Sequence, residues 1–176
     1  DGELLFEAPA GTGIVAPPVT YELDGQQYVA VMAGWGGAFA LVAGDAAAAA
    51  GVSDNTGRLL VWKLGGTAKL PEQEVAEREL LALAVDADAE TVQRGNHVFH
   101  RWCATCHGVG AVSGGVLPDL RKSDPGIYDI LDDVVLRGAL LQNGMPRFDV
   151  WLRRDDVALI RSYLLSRRAA LLAEKE

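Results

Sequence analysis

At 176 residues, 49% of them apolar, the chain is long enough for one large or two small domains and too hydrophobic for a disordered tail. It has no apolar run of the roughly 18 residues that a membrane-spanning helix needs. The formal net charge of −8 is uneven: residues 1–90 hold 4 Lys+Arg against 14 Asp+Glu, and residues 91–176 hold 12 against 10. An acidic front half lacks the basic footprint that phosphate binding requires, which excludes nucleic acid as a partner, while the arginine-rich rear half suits an acidic one.

Residues 1–64 read as β-structure. GELLFE, APPVTYEL, QQYVAVMAG, FALVAG and RLLVWKL are short runs rich in Val, Leu, Tyr and Phe, bounded by Gly, Pro and Asp. Asp24-Gly25, between two of them, predicts a tight hairpin. Five antiparallel strands of this kind make one sheet of a sandwich or one blade of a propeller. Alone, such a unit leaves apolar faces and edges open, so a larger β-array is expected to precede Asp1. The start at Asp1, without methionine or signal peptide, fits a piece excised from a longer, processed protein. Met32, inside an alternating strand, is expected in the core, and Gly34-Trp35-Gly36-Gly37-Ala38 reads as a tight turn. The small-residue stretch 44–57, with its alanine run, reads as a loop with a helical turn and carries no chemistry.

Residues 65–90 change character. A Gly-Gly pair, then Leu70-Pro71, then EQEVAERELLALAVDADAE read as an acidic tether, extended or loosely helical over whatever precedes it. Asp86, Asp88 and Glu90 do not have the spacing of a calcium loop, so a solvated linker is the reading.

From residue 91 a helix leads into Arg101–Gly108, RWCATCHG. Two cysteines two residues apart and followed at once by histidine give Cys103 and Cys106 the spacing to bond both vinyl groups of a haem while His107 ligates its iron. A thioredoxin-like pair needs a strand before the motif, and a helix stands there instead. A structural zinc site needs four ligands, and the chain has no other cysteine. An electron-carrying haem iron wants a sixth ligand, and the one methionine after the motif is Met145, in the loop sequence QNGMPRF. His97 and His100 are weaker alternatives, because they precede the motif on the same helix.

Further helix signals follow. Asp124-Pro125 reads as a cap with proline at the first helical position, and Ile127, Ile130, Leu131, Val134 and Val135 share a face before Gly138. The last helix is expected to begin near Asp155-Asp156, with Val157, Ile160, Leu164 and Leu171 inward and Arg167 and Arg168 at the surface.

GNHVFHRWCATCHG, LPDL, NGMPRF and a terminal amphipathic helix resemble a class I cytochrome c domain over roughly residues 90–172. The resemblance implies that Gly95 and Phe99 meet the last helix opposite Tyr163, and that the Pro118 carbonyl accepts from the second ring nitrogen of His107. GTGIVAPPVTYELDGQQYVAVMAGWGGAFALVAGD and RLLVWKLGGTAKLP are similar to the final blade and closing strand of alcohol dehydrogenases dependent on pyrroloquinoline quinone (PQQ). The order of the two halves resembles the end of a quinohaemoprotein alcohol dehydrogenase. The expected fold is mixed: an antiparallel propeller-blade segment at 1–64, a linker at 65–90 and an all-α class I cytochrome c domain at 91–176.

That resemblance implies an oxidoreductase of the periplasm carrying one covalent haem c. Electrons from reduced PQQ reach the haem singly and leave for a copper protein, another cytochrome or ubiquinone. PQQ and calcium belong to the propeller domain before Asp1, with Ala38 the nearest contact to the quinone, and no catalytic residue falls in this chain. A self-contained c-type carrier with a β appendage, or a haem sensor or enzyme with an open sixth position, are the alternatives.

Overall fold

The computed structural model describes residues 1–44, 46, 49, 56–71 and 79–174. Most of the alanine run, and residues 72–78 of the acidic stretch, therefore lie outside the described residues. In the front half, β1 (Val19–Leu23) and β2 (Gln26–Ala33) form an antiparallel hairpin, with Val19 opposite Ala30 and Leu23 opposite Gln26. Asp24 and Gly25 take φ of 51° and 72°, the two left-handed residues that a hairpin turn of matching twist demands. Strand β3 (Arg58–Lys63) pairs antiparallel with the other edge of β2, giving the order β1-β2-β3.

Three of the five expected strands form. GELLFE has no regular structure; Leu4 and Leu5 are exposed, and only Phe6 finds a ring, Trp62, at 6.4 Å between centres. FALVAG is a helix, α1 (Gly37–Val42), not a strand. Alanine and leucine favour a helix, and Ala40 is its buried residue.

The sheet is two-faced. Val31 and Ala33 are buried on one side, whereas Val19, Tyr21, Leu23, Leu59 and Val61 stand exposed on the other. Met32 belongs to the exposed face and is 55% accessible, so the expectation that it is core fails: no described element covers that side.

The halves meet backbone to backbone. A Cβ on Gly114 would lie 1.9 Å from the carbonyl oxygen of Ala40, and one on Gly44 would lie 2.4 Å from that of Val109. Side chains at these points would hold α1 off the loop that follows the CxxCH motif.

The rear half is helical. Helix α2 (Ala89–Trp102) begins at Asp88, whose carboxylate accepts from the Thr91 N–H at 2.8 Å, a capping bond that satisfies one orphan amide. A short helix, α3 (Ala104–His107), continues it. Asp124 caps α4 (Pro125–Asp129) with proline in the first turn, as expected. The helical pattern then changes at Ile130, which is exposed rather than buried, and a π-helical turn over Asp133–Arg137 ends at left-handed Gly138. Tyr128, Leu131, Val134 and Val135 are the buried members. Helix α5 (Arg154–Ala173) carries Asp155 and Asp156 in its first turn, where carboxylates suit the positive end of the dipole. Asp156 also accepts from the Arg153 N–H at 2.8 Å.

Helices α2 and α5 cross at Gly95. A Cβ there would sit 2.0 Å from the Leu159 carbonyl oxygen and 3.0 Å from the Tyr163 Cβ. One turn on, Phe99 is fully buried with its ring 5.3 Å from that of Tyr163. Around this crossing Val157, Ile160, Leu164 and Leu165 close the core.

The surface expectation is overturned for Arg168, while Arg167 is half-buried. Arg168 is 2% exposed: its Nε donates to the Leu81 carbonyl at 2.8 Å and its Nη1 to those of Arg121 and Ser123 at 3.1 and 2.8 Å. Arg167 donates to the Gly110 carbonyl at 3.0 Å. A buried guanidinium is tolerated because carbonyls satisfy it. The tether, moreover, lies against this half: Leu83 and Val85 pack on its core, so the end of the linker belongs physically with the helices that follow.

Three measurements test this packing. Gly95→Ala gains at most about 1 kcal/mol of helix propensity but forces the crossing apart, so urea unfolding should show a net loss of about 2 kcal/mol or more. Arg168→Lys keeps the charge and loses the fork, leaving carbonyls unsatisfied, with an expected loss of about 3 kcal/mol. The Thr91 amide, then its hydroxyl, and Arg94 hold the Asp88 pKa below its ordinary 3.8. Its stabilisation is therefore present above pH 3.8 and lost as pH falls through the folded value. Asp88→Asn should lower stability at neutral pH, and the gap from the parent should close in acid.

Candidate functional site

The crossing of α2 and α5 aims the end of α2 at the interior, where the chain passes into α3 through Cys103. The Cys103 N–H donates to the Phe99 carbonyl at 2.7 Å, and the His107 N–H to the Cys103 carbonyl at 2.9 Å, so one continuous turn carries the CxxCH residues. Gly108 at φ 80° ends it, and its Cβ, if present, would collide with the Val112 carbonyl 2.0 Å away. The segment therefore turns sharply after His107, which glycine permits without strain.

A second segment is brought to the same place from nearly forty residues on. The π-helical turn hands the chain to a 3-10 turn, Leu141–Asn143, and to Gly144 at φ 88°. The Met145 N–H then donates to the Leu140 carbonyl at 3.2 Å, and the Phe148 N–H reaches back to the Val135 carbonyl at 2.7 Å. These two bonds close the NGMPRF loop over the helical half.

Both segments line one cavity of about 350 Å³ with mainly apolar walls. Cys103, Cys106, His107, Pro118 and Met145 all face it, joined by Trp102, Leu120, Ile127, Leu140 and Phe148. None of these wall residues is given a role at the site by the sequence, although Trp102, Leu120 and Phe148 lie inside the motifs RWCATCHG, LPDL and NGMPRF and Ile127 on the predicted helix face; only the tertiary fold brings them together.

The two thiols are unbonded, Cys103 buried and Cys106 exposed. Burial, reinforced by Cys106, pushes the Cys103 thiol up to about 12, so it is protonated at neutral pH. Burial also lowers the His107 pKa, which favours the neutral imidazole that a metal binds. Its Nδ1 is buried without a hydrogen-bond partner. Here the expected bond to the Pro118 carbonyl is not formed. Pro118 lines the cavity, but the loop before it is held by Ser113, whose hydroxyl donates to the Leu117 carbonyl and accepts from the Gly115 N–H.

His97 and His100 do not line the cavity. His97 is exposed. His100 accepts from the Gly110 N–H at 3.1 Å through Nε2, and its Nδ1 stands 2.9 Å from the Asn96 carbonyl, so both nitrogens are engaged with backbone. Asp88 serves as the α2 cap, and no group of three metal-binding side chains occurs among the described residues.

Two thiols, a buried neutral imidazole with an unsatisfied nitrogen, a thioether and apolar walls form a donor set that fits a c-type haem. In the front half, a separate hollow of about 440 Å³ is bordered by Met32, Gly34, Trp35, Gly36 and Gly37. Ala38 stands exposed on the first turn of α1 and does not border it. No helix among the described residues is long and apolar enough to cross a membrane.

Comparison with known proteins agrees with this geometry. Residues 90–164 match a family model described as cytochrome C oxidase, cbb3-type, subunit III. Over 168 residues the chain is 44% identical to quinohemoprotein alcohol dehydrogenase ADH IIB of Pseudomonas putida, covering 94% of this chain and 24% of that protein. The solved structure of ADHIIG from Pseudomonas putida HK5 superposes with a TM-score of 0.85 at 41% identity, over 94% of this chain and 24% of that one. The enzyme from Comamonas testosteroni gives 0.72 at 34% identity, over 97% and 24%. The chain thus spans about a quarter of the length of these relatives. In sequence and in fold it corresponds to the C-terminal cytochrome c domain of the quinohaemoprotein alcohol dehydrogenases.

Proposed function

We propose that this chain binds one haem covalently through Cys103 and Cys106, with His107 and Met145 as axial ligands, and transfers electrons one at a time. The observation that carries the reading is the convergence of those four side chains on one apolar cavity. Bound there, the haem supplies a ferric/ferrous couple whose potential the protein tunes through ligand identity and burial. The apolar walls would keep water from the site, and Met145, on a loop closed by its backbone bonds, lines the cavity and would hold the iron through its thioether. That favours a carrier over a sensor or an enzyme acting at the iron. His107 ligates through one ring nitrogen, and the Pro118 carbonyl is the candidate acceptor for the other.

The same reading extends to the larger protein. Residues 1–64 form part of a β-propeller, and the exposed apolar face of the three-stranded sheet is consistent with packing against further strands. Residues 65–90 join it to the cytochrome domain at 91–176. In that protein, periplasmic like others that attach haem to CxxCH, reduced PQQ held with calcium in the propeller delivers electrons from an alcohol. The segment Gly34–Ala38 is the part of this chain nearest the quinone, with Ala38, outside the hollow that Gly34, Trp35, Gly36 and Gly37 border, as the candidate contact. An external acceptor receives the electrons.

Peptide mapping of the holoprotein should recover the segment containing Cys103, Cys106 and His107 with the mass of one haem added. Met145→Ala should retain that mass and lose the weak near-red band that reports sulfur on ferric iron. It should also bind carbon monoxide when reduced, and its midpoint potential should fall by roughly 0.1–0.3 V within the ~0.8 V span that axial ligation commands. A colourless protein, or a band that survives in Met145→Ala, refutes the assignment.

A further inference from the structure

Both backbone polar groups of one residue, Gly110, are held by side chains from the two crossing helices. From α2, His100 accepts the Gly110 N–H at 3.1 Å through Nε2. From α5, Arg167 donates to the Gly110 carbonyl at 3.0 Å through Nε. Gly110 lies in the 3-10 turn Val109–Ala111, which only Gly108 separates from His107. Gly108, Gly110 and Ala111 all take left-handed φ, of 80°, 71° and 61°. For Ala111, fully buried and carrying a Cβ, that conformation is unfavourable and persists only where the surroundings enforce it. The turn is therefore held from outside rather than by its own sequence.

The two holds differ in what they tolerate. A guanidinium keeps its protons across the physiological range, so the bond from Arg167 does not depend on acidity. The Gly110 N–H can only donate, so Nε2 of His100 must offer its lone pair. The ring proton then sits on Nδ1, 2.9 Å from the Asn96 carbonyl that accepts it. A protonated imidazole has a donor at each nitrogen, and the second would point at the Gly110 N–H. Among the described residues, the titratable and charged groups facing His100 are the Tyr163 phenol, its ring 5.8 Å away, and the Arg167 guanidinium beyond Gly110, both from α5. Neither supplies the negative charge that would keep an imidazolium in place.

The other side of this loop is the seat of the front half. The Val109 carbonyl lies where a Cβ on Gly44 would strike it at 2.4 Å, and Gly114 lies as close to the Ala40 carbonyl. Contacts at backbone distance leave no side chain to absorb a shift of the turn. We infer that His100 is a positioning residue for the junction of the two halves: while neutral it latches the 108–114 loop to α2, and on protonation it lets go and loosens the seat of α1. The consequence for electron transfer rests on the haem reading above, because the same seat sets how the front half stands beside the haem. The latch itself does not depend on that reading.

Hydrogen–deuterium exchange of the full-length holoprotein tests it, read at peptides covering 108–114 and 37–42 and normalised at each pH to unstructured peptides of the same sequence. Between about pH 8 and 5, the range in which a histidine changes charge, normalised exchange of both peptides should rise about fivefold, the weight of one hydrogen bond. His100→Gln keeps an acceptor near the Nε2 position but takes up no proton, so its exchange should stay level. That variant retains His97 and His107, and a rise caused by either would persist in it. His97→Gln, on the exposed side of α2, should rise as the parent does. A parent whose exchange stays level overturns the latch, as does a rise that survives in His100→Gln or disappears in His97→Gln. A rise at 108–114 without one at 37–42 overturns the link to the front half. If His100→Gln does not fold, the parent and His97→Gln still decide. Absence of haem from the unaltered protein would refute the haem assignment instead and leave the exchange result standing.

Discussion

The close crossing of α2 and α5 at Gly95 is the constraint on which the rest of the helical half depends. Two backbones approach until a single methyl would strike a carbonyl, and Phe99 and Tyr163 then lock the angle between them. The direction of α2 fixes where its last turn points. Cys103, Cys106 and His107 are brought to the cavity lining by that direction.

The second half of the cavity is built differently. Met145 sits on a loop with little regular structure, and its position comes from a relay: a π-helical turn, left-handed Gly138, a 3-10 turn and left-handed Gly144. Two of these steps take a left-handed backbone that most residues resist and glycine does not. The result is a loop pinned at both ends, at Leu140 and Val135, with its thioether side chain on the cavity wall.

How much of this could be read from the sequence depends on the range of the interaction. Local chemistry was legible: the CxxCH spacing, the Asp24-Gly25 turn, the Asp124-Pro125 cap and the glycine and proline around Met145 each act within a few residues. Whatever depended on distant partners was not. FALVAG has strand composition, yet Gly37–Val42 folds as a helix, with Ala40 and Gly44 closely approached by a loop nearly seventy residues away. Met32 alternates like a core residue, but the described chain supplies nothing to cover it. Ile130 obeys the helical period in the sequence, but α4 ends there, with Ile130 as its C-cap. Arg168 looked like surface because composition cannot reveal three carbonyls waiting for a guanidinium.

That guanidinium also settles where the helical half can be cut. A boundary drawn at residue 91, where composition changes, would remove the Leu81 carbonyl together with Leu83 and Val85. Arg168 would keep its burial and lose a partner, and a charge left short of acceptors is among the costlier defects a core can carry. Residues 79–88 therefore behave as a clasp fastened from the far end of the chain. A fragment that begins before Leu81 retains the fastening, and one that begins after it starts with the seam undone.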